Sequence, residues 1–145
     1  MRKSIRYCMN KCFIDTSGFY SLLVQNDPYH DSAQDWLNKV CNLKERIWTS
    51  DYVLDETATL LKFRKMAYLC NPFFSLVEAS RALSVLYVDS NLFAKSKDYF
   101  IKHQDQKYSF TDCTSFVVMQ ENRIKDALTH DHHFRQAGFS IVLIA

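Results

Sequence analysis

The chain has 145 residues, 48% of them hydrophobic, and carries 18 Lys+Arg against 16 Asp+Glu for a net charge of +2. That length and apolar content suit one domain with a proper core, and only two Gly and two Pro exclude a loop-dominated, disordered or collagen-like chain. The longest purely apolar run, Ile141 to Ala145, is far too short to span a bilayer, and the basic start Met1 to Met9 has no apolar signal core, so a cytoplasmic protein with no membrane attachment is expected.

In chain order, residues 11–15 read as a short buried strand, followed by a helix from Ser17 to Val24. Asn26-Asp27-Pro28 is a turn and N-cap with Pro28 as first helical residue, and Tyr29, Ala33, Trp36, Leu37 and Val40 then recur at helical spacing. Ile47-Trp48 is a second strand. Ser50 or Asp51 caps a long helix predicted to reach Leu69, and Asn71-Pro72 repeats the cap-then-proline start for a helix through Leu83. Val85–Val88 is a third strand, Asp89 to Asn91 starts the next helix, and Gln104–Tyr108 is a polar loop. A helix carrying Asp112 runs to Glu121, followed by a strand at Ala127–Thr129. A helical turn at His133–Gln136 ends on Gly138, and Phe139–Ile144 forms a last strand. Short strands alternating with helices predict a parallel sheet of four or five strands covered on both faces, an α/β/α sandwich. One domain spanning 1–145 is expected.

Four acidic residues stand where elements begin, end or turn. Asp15 closes the run Cys12-Phe13-Ile14, Glu56 lies in the helix from Asp51, Asp112 opens an apolar helix, and Asp131 follows the strand at Ala127–Thr129. Such positions converge on one rim of a parallel sheet, where these folds place their chemistry. A cluster of carboxylates suits Mg²⁺ or Mn²⁺ and points to metal-dependent phosphodiester cleavage. Each acid also has a structural reading. Asp112 could serve a helix dipole, Asp15 a turn, Glu56 a solvated helix face and Asp131 a polar loop.

Other motifs carry less chemistry. Five cysteines (Cys8, Cys12, Cys41, Cys70, Cys113) without a CxxC pair read as reduced, mostly packed thiols. His130-Asp131-His132-His133 lacks the i,i+3 or i,i+4 spacing usual for zinc and reads as a polar loop whose imidazoles touch substrate. Lys62-Phe63-Arg64-Lys65, Lys95 to Lys102, Arg123, Lys125 and Arg135 are candidate phosphate contacts, with the last three placed near the acidic rim. The aromatic stretch Tyr68–Phe74 is a candidate partner groove. No GxxxxGK[ST] loop supports a nucleotide phosphotransferase.

Five segments in order resemble a PIN domain, and within that family a VapC-type toxin ribonuclease. They are Phe13-Ile-Asp-Thr-Ser17, Asp27 to Ala33 with Trp36-Leu37, Thr49 to Thr57, Ser109-Phe-Thr-Asp-Cys113, and Leu128 to Phe134. The resemblance implies an Mg²⁺- or Mn²⁺-dependent endoribonuclease acting on RNA, held by a cognate antitoxin protein and forming a homodimer. Its acidic residues fall on Asp15, Glu56, Asp112 and Asp131, with Thr16 and Thr129 as supporting polar groups. Asp15 and Asp112 are then the expected metal ligands, Glu56 the residue that handles water, and Asp131 the group completing the shell. The lead Met1–Asn10 precedes the resemblance and has no assigned role. A PIN-like RNA- or protein-binding module without catalysis is the alternative.

Overall fold

The computed structural model describes residues 11–42 and 46–143. Five strands are formed: β1 (Lys11–Ile14), β2 (Arg46–Ser50), β3 (Leu83–Leu86), β4 (Asp126–Leu128) and β5 (Ser140–Ile141). Seven α-helices connect and cover them: α1 (Thr16–Leu23), α2 (His30–Asn42), α3 (Asp51–Phe63), α4 (Cys70–Ala79), α5 (Ser90–Lys102), α6 (Phe110–Glu121) and α7 (His132–Gln136). All strand pairs are parallel, in the order β3-β2-β1-β4-β5. The expected α/β/α sandwich is therefore what forms, with five strands.

The strand order reverses at β1. From it the chain builds outward through β2 and β3, then returns to place β4 on the other side, with Phe13 level with both Trp48 and Ala127. Loops leaving β1 and β4 at their C-terminal ends consequently diverge and leave a crevice between them. Helix α6 returns toward β4, so its N-terminus lies at that same edge. It is buried at every residue from Asp112 to Met119, as expected of a helix whose apolar residues surround its axis. Phe116 anchors it, with ring centroids 4.9 Å from Phe134, 5.0 Å from Tyr108 and 5.8 Å from Tyr99. Phe73, inside the stretch read as a partner groove, is fully buried edge-on against Phe19, whereas Tyr68 and Phe74 of the same stretch are exposed.

Several boundaries differ from those expected, each for a local reason. Helix α2 starts at His30 because the Asp27 carboxylate accepts hydrogen bonds from Ser21 Oγ (2.8 Å) and the Tyr29 amide (3.0 Å), which spends Asp27-Pro28-Tyr29 on a turn. Helix α3 stops at Phe63 rather than Leu69. Lys65 adopts φ 62°, the Met66 amide bonds Leu61 O at 2.8 Å, and the Lys65 amide bonds Lys62 O at 3.1 Å. That is a Schellman closure built on a lysine, so no glycine announces it. Arg123, at φ 55°, closes α6 in the same way, and only α7 uses a glycine, Gly138. Helix α4 starts at Cys70, which leaves Pro72 in the first turn where its missing N–H has no partner to lose. Val88 leaves β3 because its amide donates to Asp51 Oδ1 at 2.9 Å. The final strand is confined to Ser140–Ile141, with Ile144 outside the described residues.

Gly18 sets the distance between α1 and the sheet. A Cβ there would stand 2.1 Å from the Leu128 carbonyl oxygen, which is backbone and cannot rotate away. The missing side chain lets the Asp15 amide bond Leu128 O at 3.3 Å and closes the gap between the β1 and β4 loops. Gly18→Ala is expected to destabilise the protein by about 1–3 kcal/mol or more through overpacking. A chemical melt with an unchanged midpoint would show that α1 can move out at no cost.

Candidate active site

The first acid follows directly from β1. Asp15 occupies the N-cap position of α1, yet its side chain makes no capping hydrogen bond, and the residue is only 4% exposed. A buried carboxylate that neither caps nor pairs with a cation argues against the turn-residue reading. Its Oδ2 accepts a hydrogen bond from the Thr129 hydroxyl at 3.3 Å.

The hydroxyls around it form a directed chain. Thr129 has one proton, and giving it to Asp15 requires Ser17 Oγ, 2.7 Å away, to be the donor toward Thr129. Ser17 Oγ in turn accepts the His130 amide at 3.2 Å, and Thr129 Oγ1 accepts the Asp131 amide at 3.0 Å. The β4 loop is thereby fixed against α1. On the other side, Thr49 Oγ1 donates to Ile14 O at 2.9 Å, tying the end of β2 to the end of β1. Thr16 lies beside Thr57 of α3 (3.3 Å) and supplies a hydrogen bond to Glu56.

Glu56 reaches the crevice from α3. Its acidic neighbours do not compete with it, because Asp51 holds the Val88 amide and Asp55 is exposed. Asp112 arrives from α6 through a capping box in which Ser109 Oγ accepts the Asp112 amide and Asp112 Oδ2 accepts the Ser109 amide, both at 3.0 Å. The helix-terminus reading of Asp112 is thus correct as far as it goes, and the same residue is also buried beside the other acids. Asp131 caps α7, with Oδ1 accepting the His133 amide at 2.9 Å.

Ligand oxygens of Asp112 and Asp131 lie within 4.8 Å of each other, and the clustered carboxylates raise one another's proton affinity. Burial, followed by the charge of Asp112, pushes the Asp15 carboxyl up to about 8, with Glu56 and Asp131 adding to the rise and the Thr16 amide opposing it. Glu56 is raised by burial, then by Asp112 and Asp131, against the Thr16 hydroxyl. Asp112 is raised by burial and by Asp131, and lowered by Ser109 and His133. Asp15, Thr16, Ser17, Glu56 and Asp131 line a cleft of about 230 Å³. A larger groove of about 690 Å³, between Leu23–Asn26 and Met66–Leu69, shares no residue with it and has no acidic side chain.

Two other expectations change. Arg123 and Lys125 precede β4, so they lie at the edge of the sheet opposite the acids, because a parallel strand separates its start from its C-terminal rim. The cation that does line the cleft is Arg64, packed over the Tyr20 ring at 5.0 Å. The histidines are not one loop. His130 stacks on Tyr29 (centroids 4.4 Å apart, planes at 11°), whereas His132 and His133 begin α7. His133 Nδ1 stands 3.5 Å from Asp112 Oδ2 and 3.5 Å from Asp131 Oδ1, a grouping that local spacing concealed. A side chain in the first turn of a helix leans back toward its N-cap, which brings His133 to Asp131. Cys113 behaves as expected of a packed thiol, being fully buried with its pKa pushed up to about 11 by burial and by Asp112. Cys8 and the lead Met1–Asn10 lie outside the described residues. Among the described residues, no helix is long and apolar enough to cross a membrane.

Comparison with known proteins gives this arrangement a context. The 23S rRNA-specific endonuclease VapC20 of Mycobacterium tuberculosis is 32% identical over 128 residues, covering 88% of this chain and 94% of VapC20. Its crystal structure, described as that of a sarcin-ricin loop cleaving toxin, superposes with a TM-score of 0.76 at 30% identity, covering 88% of this chain and 95% of that one. A VapC ribonuclease of Archaeoglobus fulgidus is 30% identical over 123 residues, 83% of this chain and 77% of the relative. VapBC2 of Rickettsia felis, solved bound to a DNA fragment from its promoter, shares the fold with a TM-score of 0.67 at 10% identity, over 90% of this chain and 96% of that one. With the PIN domain profile matching residues 12–140 as well, the chain belongs to the PIN domain family and is similar to its VapC ribonucleases.

Proposed function

We propose that this protein is an endoribonuclease that uses Mg²⁺ or Mn²⁺ to hydrolyse RNA phosphodiester bonds, and that it is the toxin of a type II toxin–antitoxin pair in the cytoplasm. The observation that carries the chemistry is the meeting of Asp15, Glu56, Asp112 and Asp131 at one edge of the sheet, with Asp15 driven up to about 8 by burial and by Asp112. Relatives named as ribonucleases, and a fold shared with a VapBC pair, support the substrate class and the antitoxin partner. On the same reading the chain is one domain and works as a homodimer.

The donor set fits a hard divalent ion, since it offers carboxylate oxygens fixed by backbone amides and by hydroxyls. Asp15 and Asp112 would hold the ion, and Asp131 would complete its surroundings. When bound, the ion supplies Lewis acidity toward the phosphodiester and lowers the pKa of a water. The protein's own residues do the rest. Thr129 and Thr16 fix the Asp15 and Glu56 carboxylates, and Glu56, half-exposed with a raised pKa, accepts the proton of the attacking water. Arg64 on the cleft wall meets the substrate backbone as a cation.

Asp15→Asn and Asp112→Asn are each expected to abolish cleavage of a fluorogenic RNA, to the level of a chelated control, while the circular dichroism spectrum is retained. Full activity in either variant removes that residue from the mechanism. Saturating Mn²⁺ is expected to raise the melting temperature of the wild type, by the equivalent of about 2.7 kcal/mol at a hundredfold excess over Kd. An inert binding module would show no such rise.

Without an ion, Asp15 makes stability depend on pH. Its ordinary pKa of 3.8 rises to about 8 on folding, so between those values the folded chain keeps a proton that the unfolded chain has lost. Stability of the ion-free protein should therefore fall as pH rises from 4 toward 8, by up to about 1.4 kcal/mol per pH unit. Asp15→Asn should flatten this profile and melt above the wild type at pH 7.5. Parallel profiles for the two proteins would rule out Asp15 as the source.

A further inference from the structure

We propose that His133 supplies a nitrogen ligand beside Asp112 and Asp131, making the cation site a mixed nitrogen–oxygen one that prefers Mn²⁺ to Mg²⁺. This rests on the reading of the acidic cleft as a divalent-metal centre and adds a donor of a different kind to it.

His133 Nδ1 is shielded from solvent and has no hydrogen-bond partner, although the side chain as a whole is 21% exposed. A buried ring nitrogen without a hydrogen bond is costly, and such an atom calls for an explanation. Asp112 Oδ2 and Asp131 Oδ1 each stand 3.5 Å from it, longer than an ordinary hydrogen bond. One donor atom from each of the three residues lies within 4.8 Å of the others. Ligands around an ion with bonds of about 2.1 Å stand about 3–4 Å apart, so 3.5 Å is the spacing expected of atoms sharing an ion.

The three donors are also held in place. Asp112 Oδ2 accepts the Ser109 amide at 3.0 Å and Asp131 Oδ1 the His133 amide at 2.9 Å, bonds that orient each carboxylate without exhausting its lone pairs. The His133 ring stands edge-on to Tyr108, centroids 5.5 Å apart at 76°, and next to His132 at 4.7 Å. Placing the histidine in the first turn behind its own N-cap aspartate fixes the direction of Nδ1 from the backbone. An all-carboxylate shell suits Mg²⁺, whereas an imidazole shifts preference toward first-row transition ions.

The test uses the full chain stripped of metal, with Mn²⁺ and Mg²⁺ as probes, in the wild type, His133→Asn and His133→Phe. Phe preserves the ring contact with Tyr108, so at least one folded variant should be available, and melting curves verify this. Electron spin-echo spectra of bound Mn²⁺ in the wild type are expected to show coupling to a directly bonded imidazole nitrogen, absent in both variants. Mn²⁺ affinity should fall at least about tenfold in the variants while Mg²⁺ affinity changes by less than about threefold. Wild-type Mn²⁺ binding without nitrogen coupling, and with affinity unchanged in the variants, would overturn the assignment and leave the carboxylate site standing, with His133 only a neighbour of two acids. If the wild type binds neither ion, while the ion-free protein is folded, both the assignment and the metal-centre reading fail.

Discussion

Bringing several carboxylates together out of water is the constraint on which this structure depends. Two such charges about 5 Å apart repel by about 3 kcal/mol at an effective dielectric near 20, and desolvation adds to that cost. The fold bears this with a buried Asp15 whose proton is held up to about 8, rather than with a cationic partner. Among the described residues, only His133 lies within ion-pair reach of the cluster, at 3.5 Å from two of the acids. On the proposed reading, an arrangement this unfavourable when empty is one that a divalent ion would relieve.

The rest of the local structure serves to keep that arrangement from relaxing. Gly18 lets α1 press against the Leu128 carbonyl, and the Ser17–Thr129–Asp15 hydroxyl chain locks the two loops that open at the sheet's reversal point. The capping box at Asp112 and the N-cap at Asp131 give each carboxylate a backbone anchor. On the proposed reading, capping does not exclude a ligand role at these positions. A carboxylate has lone pairs enough for an amide and a ligand together, and its amide bond supplies the orientation.

Much of the fold was legible locally, because strand and helix periodicity are properties of short windows. Phe13-Ile14, Ile47-Trp48 and Ala127-Leu128 mark the three central strands by their apolar runs, and Asp89 and Ser50 announce their helices as caps. Boundaries failed where a side chain or backbone turn departed from the usual signal. Lys65 and Arg123 end helices in left-handed conformations that glycine normally takes, and Asp51 drew Val88 out of its strand from 37 residues away. The candidate acids were legible as a set through their positions at element ends and through the family resemblance. The placement of Arg123 and Lys125 was misread because nearness in sequence to Asp131 says nothing about which end of β4 a residue occupies.

By itself, then, the sequence determined the alternation of strands and helices, the sandwich that follows from it, and which carboxylates are available at element termini. Only the tertiary structure decided that Arg64 rather than Arg123 faces the acids, that Asp51 is spent on a strand end while Glu56 is not, and that His133 joins Asp112 across a gap of 21 residues. The reason is physical. Periodicity and capping are set by neighbours along the chain, whereas charge coupling, burial and ligand spacing depend on distances between segments that meet only once the sheet has ordered its strands.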